Sequence, residues 1–210
     1  MLELNKLYNM DCLEAMKEFP DKYFELAIVD PPYGININNN IGRRQGDKKS
    51  DYKKVTWDSE PPNEEYFKEL FRISENQIIW GANHFVEKIN KNSSCWIVWD
   101  KLFSEDVSFA SCEYAWTSFA QSAKTYYQRP QNADVQRIHP TQKPVKLYQW
   151  LLSKYAKQGD RILDTHLGSG SSAIAAHYSG FDFVGVELDE DYYQAAQKRF
   201  QDETAQGGLF

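Results

Sequence analysis

The chain has 210 residues, 41% hydrophobic and 15% aromatic, with a net charge of −6 and a pI of about 5.3. A chain of this size and composition buries one core without disulfides or metals, which excludes a disordered protein and a disulfide scaffold. The acidic balance excludes a protein that coats nucleic acid by bulk charge, and leaves room for an enzyme whose basic residues are concentrated in one place.

Short apolar runs alternate with amphipathic stretches, the pattern of an α/β fold. In chain order, Leu26–Asp30 is a compact strand that ends at a double proline. Gly34–Asp58, rich in Asn, Gly, Lys and Arg, reads as a long loop. Phe67, Leu70 and Phe71 predict a helix over Asn63–Ser74. Gln77–Trp80 and Cys95–Trp99 read as buried strands, and Glu113–Ser118 as a further strand. Ala120–His139 is polar, carries Tyr126, Tyr127 and Arg129, and reads as a second long loop. Pro144–Lys157 predicts a helix with proline in its first turn. Arg161–Asp164 is a strand, Ser171–Ser179 a helix stopped by Gly180, and Asp182–Glu187 the next strand. Asp189–Gln201 is the last helix with Asp189 as its N-cap, and the polar tail after Asp202 reads as loose. The opening residues lack a basic region followed by an apolar run, and no apolar run approaches a membrane span. Three cysteines in no metal-type pair fit a reducing compartment. The expectation is a soluble, cytoplasmic protein folded as a single domain over residues 1–210, with no membrane contact.

Two turns carry the chemistry. Asp164-Thr165-His166-Leu167-Gly168-Ser169-Gly170-Ser171 lies between a strand and a helix, where glycines let the backbone approach a ligand closely. Glu187 ends the following strand, the position that binds ribose hydroxyls in nucleotide-binding α/β units. The third glycine of a dinucleotide site is missing, so a single adenosine-containing ligand suits the turn better. Tight helix–sheet packing is the alternative reading of these glycines. The second turn, Asp30-Pro31-Pro32-Tyr33, follows an apolar strand. Prolines remove donors and stiffen the chain, leaving carbonyl acceptors beside the Asp30 carboxylate and the Tyr33 ring. That set suits holding a planar base by its amino group. An aromatic amine is a poor nucleophile because its lone pair is delocalised. Accepting both N–H bonds, at Asp30 and the Pro31 carbonyl, favours a pyramidal nitrogen that can attack a methyl group in line. Tyr33 would stack on the flipped base.

With these residues in view, the chain resembles the amino-methyltransferases of DNA, in the permuted beta-type arrangement where the Asp-Pro-Pro-Tyr tetrapeptide precedes the glycine turn. The resemblance covers nearly the whole chain. It implies a Rossmann-like S-adenosylmethionine-dependent methyltransferase fold, with a mostly parallel seven-stranded sheet and circularly permuted motif order. It implies S-adenosylmethionine as cofactor, no metal, and double-stranded DNA as partner. It assigns catalysis to Asp30, Pro31, Pro32 and Tyr33, and a cofactor site to Asp30, Asp164, His166, Gly168, Ser169, Gly170 and Ser171, with Glu187 on the ribose. His139-Pro140-Thr141-Gln142-Lys143-Pro144 matches a signature that helps bind the methionine part, which adds His139, Thr141 and Lys143. Asp11 resembles the residue near the cofactor's adenine. Thr165 and His166 depart from the proline and phenylalanine usual there; His166 either bonds the methionine carboxylate or simply packs. Related enzymes often dimerise, which makes a homodimer an expectation here.

An aspartate at the first tetrapeptide position is typical of adenine N6 methylation, and a serine of cytosine N4 methylation. Adenine N6 is therefore the expected target and cytosine N4 the alternative. A catalytically silent DNA-binding subunit, or an enzyme acting on RNA or protein glutamine, are further alternatives. Carbon-5 methylation needs a thiolate after a proline, whereas Cys12, Cys95 and Cys112 follow Asp11, Ser94 and Ser111. The family's target-recognition region is larger than this chain's, which leaves only residues 34–58 and 120–139 as DNA-contacting loops. Arg43, Arg44, Lys48 and Lys49 either grip phosphates or form a solvated charged loop. Trp80–Phe85 and Trp99–Lys101 lie at strand ends and either line the base pocket or pack as core. Gln206-Gly207-Gly208-Leu209-Phe210 resembles peptides that dock on bacterial sliding clamps; the other reading is a frayed end.

Overall fold

The computed structural model describes residues 1–35, 58–103, 110–130 and 137–205. Arg43, Arg44, Lys48 and Lys49, most of the first long loop, and the Gln206–Phe210 tail lie outside the described residues. Eight strands form one sheet: β1 (Lys6–Asn9), β2 (Phe24–Val29), β3 (Ser74–Trp80), β4 (Ile97–Asp100), β5 (Cys112–Thr117), β6 (Lys124–Tyr127), β7 (Arg161–Asp164) and β8 (Asp182–Glu187). Their order is β1-β8-β7-β2-β3-β5-β4-β6. Only β5 is antiparallel to its neighbours; the other pairings are parallel. The expected mostly parallel α/β architecture is present, with eight strands rather than seven.

Among the described residues, six α-helices flank the sheet: α1 (Cys12–Lys17), α2 (Glu64–Ile73), α3 (Val86–Ile89), α4 (Val145–Tyr155), α5 (Ser171–Tyr178) and α6 (Glu190–Ala205). β2, Phe-Glu-Leu-Ala-Ile-Val, shows why both faces need cover. Leu26 and Ile28 pack with α4 and α5, while Ala27 and Val29 pack with α1 and α2. This alternation, with both faces apolar, is what a central parallel strand requires. On α2, Tyr66, Phe67, Leu70 and Ile73 form one buried stripe, and the Asn63 side chain caps the first turn by accepting from the Tyr66 N–H at 2.9 Å. Truncating the fully buried Leu70 to alanine would cost about 2–5 kcal/mol.

Several sequence expectations are corrected. Residues 120–139 are not one loop: Lys124–Tyr127 add β6 at the sheet edge, pairing in parallel with β4. The last helix runs through Ala205, past the expected loose tail at Asp202, with Asp189 Oδ1 accepting from the Asp191 and Tyr192 N–H groups. β1, α1 and α3 were not anticipated, since four to six residues carry too little periodicity to stand out.

The topology creates the crevice. From β7 the chain moves to β8 on one side, and from β2 to β3 on the other, while β7 and β2 are adjacent. Ligands bind at such a switch point, outside the carboxyl ends of parallel strands. The turns after β2 and β7 are Asp30–Tyr33 and Thr165–Gly170. Because β5 runs the opposite way, its start reaches this same edge, with Glu113 opposite Trp99 of β4.

Candidate active site

One cleft of about 610 Å³ opens at this edge, within the ~300–1,000 Å³ usual for small-molecule sites. Asp11, Asp30, Pro31, Pro32, Tyr33, His139, Thr141, Lys143, His166, Gly168, Ser169 and Glu187 all line it. The two chemical turns therefore share a single cavity.

On the cofactor side, Gly168 and Gly170 hold left-handed backbone angles, φ +52° and +77°, which favour glycine. Glu187 ties the turn to the end of β8: Oε2 accepts from the Gly168 N–H at 2.8 Å and Oε1 from the Asp189 N–H at 3.0 Å. Burial raises its carboxyl above the ordinary value. Asp11 caps α1, accepting from the Leu13 and Glu14 N–H groups while it faces the cleft. His139 packs edge-on against Tyr192 and bonds the Thr141 hydroxyl at 3.0 Å. Burial, then the nearby Lys143 and Arg137 charges, lower this imidazole to about 3, so it is neutral. His166 is half-buried, its Nδ1 2.9 Å from the Thr165 hydroxyl, which meets the Tyr66 hydroxyl at 2.7 Å. Burial lowers His166 to about 4.

Three expected cofactor residues stand behind the wall rather than in it. Asp164 accepts from the His166 N–H at 3.0 Å and the Ser172 hydroxyl at 2.5 Å, and burial raises it to about 7. Gly170 is the N-cap of α5, and the Ser171 hydroxyl bonds Ser169 and Arg199. They shape the turn from within.

On the other side, the Tyr33 hydroxyl donates to Asp30 Oδ1 at 2.7 Å, and Lys143 Nζ donates to Asp30 Oδ2 at 2.5 Å. Lys143 is 2% exposed and also lies 2.9 Å from Glu113 Oε2. Lys101 meets the other Glu113 oxygen at 2.6 Å. Lys143, expected on the methionine part, is thus placed on the tetrapeptide carboxylate. Despite burial, Lys143 and Lys101 hold Glu113 down at about 2. Burial raises the Asp30 carboxyl, opposed by Lys143 and reinforced by Glu113. Tyr33 is seated from below: a Cβ on Gly81 would come within 2.0 Å of its ring, and His84 stacks on it at 5.2 Å and 15°. Asp58 Oδ1 fixes the turn by accepting from the Tyr33 and Gly34 N–H groups at 2.8 and 3.0 Å.

The strand-end segments after β3 and β4 divide. Trp80 and Trp99 are core, whereas Gly81, His84 and Lys101 support the site. Glu113, Asp58 and Tyr148 were missed. Glu113 reaches the edge only through the reversal of β5, and no local pattern marks that. Cys12 lines the cleft, and burial pushes its thiol up to about 12.

A switch-point crevice that pairs a nucleoside-type turn with a carboxylate–proline turn defines a Rossmann-like amino-methyltransferase. The family of N6- and N4-specific DNA methylases matches residues 75–198, over half of the chain, and the protein belongs to that family. YubD of Escherichia coli K12, described as a methylase, is 24% identical over 93% of this chain and 90% of its own length. The type II methyltransferase M.HinfI of Haemophilus influenzae is 23% identical over 95% of this chain and 69% of its own. Among solved structures, TTHA0409 of Thermus thermophilus, described as a DNA modification methylase complexed with S-adenosyl-L-methionine, aligns with TM-score 0.61 and 20% identity, covering 97% of this chain and 96% of that one. The PvuII DNA methyltransferase, described as cytosine-N4-specific, aligns with TM-score 0.65 and 11% identity, covering 93% and 86%. These structural likenesses establish a shared fold.

Proposed function

We propose that the protein transfers a methyl group from S-adenosylmethionine to the exocyclic N6 amine of an adenine flipped out of DNA. The observation that carries this reading is the shared cleft, in which the Asp30 turn and the Gly168 turn flank one cavity. Its residues fit an adenosine-bearing ligand. Glu187 and Asp11 offer carboxylates for hydroxyl and amine donors, and the neutral His139 with Thr141 suits the methionine part. When bound, S-adenosylmethionine would supply an electrophilic methyl on a sulfonium, with sulfur keeping the S–CH3 bonding pair as the amine takes the methyl and the nitrogen passing one proton to water.

The chain's own residues position the amine. Asp30 Oδ1 and the Pro31 carbonyl accept its two N–H groups, which frees the lone pair toward the glycine turn. Oδ1 has a second lone pair beside the Tyr33 hydroxyl bond and can accept the amine there or in its place; where the hydroxyl yields, the ring is freed to stack on the base. Aspartate at the head of the tetrapeptide supports adenine over cytosine.

Incubating purified protein with labelled S-adenosylmethionine and DNA, followed by nucleoside analysis, tests the reading. N6-methyladenine is expected. N4-methylcytosine would move the target to cytosine, and no incorporation would leave a silent binding subunit.

A further inference from the structure

The buried charges at the catalytic edge do not form a simple pair. One ammonium, Lys143, faces two carboxylates, Asp30 and Glu113, at 2.5 and 2.9 Å. Lys101 holds the far side of Glu113 at 2.6 Å. The Tyr33 hydroxyl touches all three inner groups, at 2.7 Å from Asp30, 3.2 Å from Lys143 and 3.4 Å from Glu113. Around Asp30 stand Tyr33 from its own turn, Lys143 from the segment before α4, Glu113 from β5, Tyr148 from α4, Asp164 from β7 and Tyr66 from α2. Lys143 is the only cation in that set, and Lys101 stands one step behind.

Two demands on Asp30 conflict. A buried carboxylate without a cation becomes protonated and can no longer accept two strong hydrogen bonds. A carboxylate in sole possession of a buried ammonium stays ionised, but the full positive charge beside it makes its oxygens weaker acceptors. Sharing the cation meets both demands.

We propose that Glu113 is a positioning residue for methyl transfer: by taking a share of Lys143, it leaves Asp30 ionised with Oδ1 basic enough to accept the target amine. This rests on the methyltransferase reading above. When the amine arrives, the neutral Tyr33 hydroxyl is the donor that yields, because displacing Lys143 would strand a buried charge. Lys101 sets the division by competing for Glu113. Remove Glu113 and Lys143 belongs to Asp30 alone; remove the Lys101 charge and Glu113 draws Lys143 away.

The test is a pair of variants with opposite expected signs, measured on the full chain with DNA and labelled S-adenosylmethionine. The acid limb of kcat/KM for DNA reports ionisation in the free enzyme. In Glu113→Gln this limb moves to lower pH, by about half a unit or more, and kcat falls roughly tenfold. KM for DNA and cofactor affinity by calorimetry stay at wild-type values. In Lys101→Met the limb moves to higher pH. Limbs that stay in place, or that move the same way in both variants, overturn the proposal. Should circular dichroism show Glu113→Gln unfolded, Lys101→Met decides alone, and an unshifted or lowered limb overturns it. Wild-type protein that transfers no methyl group overturns the methyltransferase reading and this proposal with it. Wild-type transfer with unshifted limbs overturns this proposal alone.

Discussion

The two walls of the cleft are built on different principles. The cofactor wall is made from one continuous stretch, β7 to β8, and is held by backbone: left-handed glycines, N–H groups on Glu187, and the start of α5. The catalytic wall is assembled from segments scattered along the chain, around Asp30, Asp58, Lys101, Glu113 and Lys143, and is held by charge. A backbone-held wall tolerates side-chain changes and loses affinity. A charge-held wall is most sensitive at the shared cation, Lys143, whose loss leaves Asp30 without a counter-ion.

The largest expected effect follows from this asymmetry. Lys143→Met leaves Asp30 without a cation and Glu113 with Lys101 alone, and should cost about 3 kcal/mol of stability in urea unfolding as well as transfer activity. A loss below about 1 kcal/mol, the scale of an exposed pair, would erase the distinction between the walls. Next is Gly81→Ala. The new methyl would stand 2.0 Å from the Tyr33 ring at a backbone φ of +67°, so a stability loss of about 1–3 kcal/mol is expected, with slower transfer because Tyr33 is displaced. Thermal melts and single-turnover rates check it.

Glu187→Gln samples the other wall. The amide keeps one oxygen for one of the two N–H groups that Glu187 holds, from Gly168 and Asp189, while its NH2 faces the other as a second donor and the charge is lost. Melting should show a loss of about 1 kcal/mol for the N–H left without an acceptor, while calorimetry should show cofactor binding weakened at least about tenfold, equivalent to roughly 1.4 kcal/mol. A variant that unfolds instead would make this wall as charge-dependent as its partner.

The smallest effect is a slope. His139 titrates near 3 in the folded protein against about 6.5 when unfolded. The unfolded chain therefore binds the extra proton first. His139 contributes stability that is present above about pH 6.5 and lost as pH falls toward 3. Asp164, raised to about 7, acts in the opposite sense, its contribution fading as pH rises through that value. His139→Gln should therefore lose less stability than wild type between pH 6.5 and 4. Parallel melting curves would remove His139 from the acid response.

The same contrast explains what could be read from the residues alone. Asp164–Ser171 and Glu187 are a local pattern, strand, turn, helix and strand, so the elements that build this wall were legible in the residues. Depth is what a linear pattern does not carry: Asp164, Gly170 and Ser171 support the turn from behind the cleft lining. Asp30–Tyr33 was legible because prolines after an apolar strand are locally conspicuous. Glu113 was not, because its arrival at the edge depends on β5 running against its neighbours, a long-range property. Lys143 was found as part of a signature, but its contact with Asp30 was not legible, since only the fold brings the two together over 113 residues of chain. The edge strand β6 was hidden in a polar segment that carries no clear alternation.

The division of labour across the cleft is tested most directly by one variant measured two ways. Asp30→Ala should bind S-adenosylmethionine in calorimetry with the wild-type Kd, and should transfer methyl groups to DNA at least about a thousandfold more slowly. Cofactor affinity lost in step with transfer, or transfer that persists near the wild-type rate, would contradict the account.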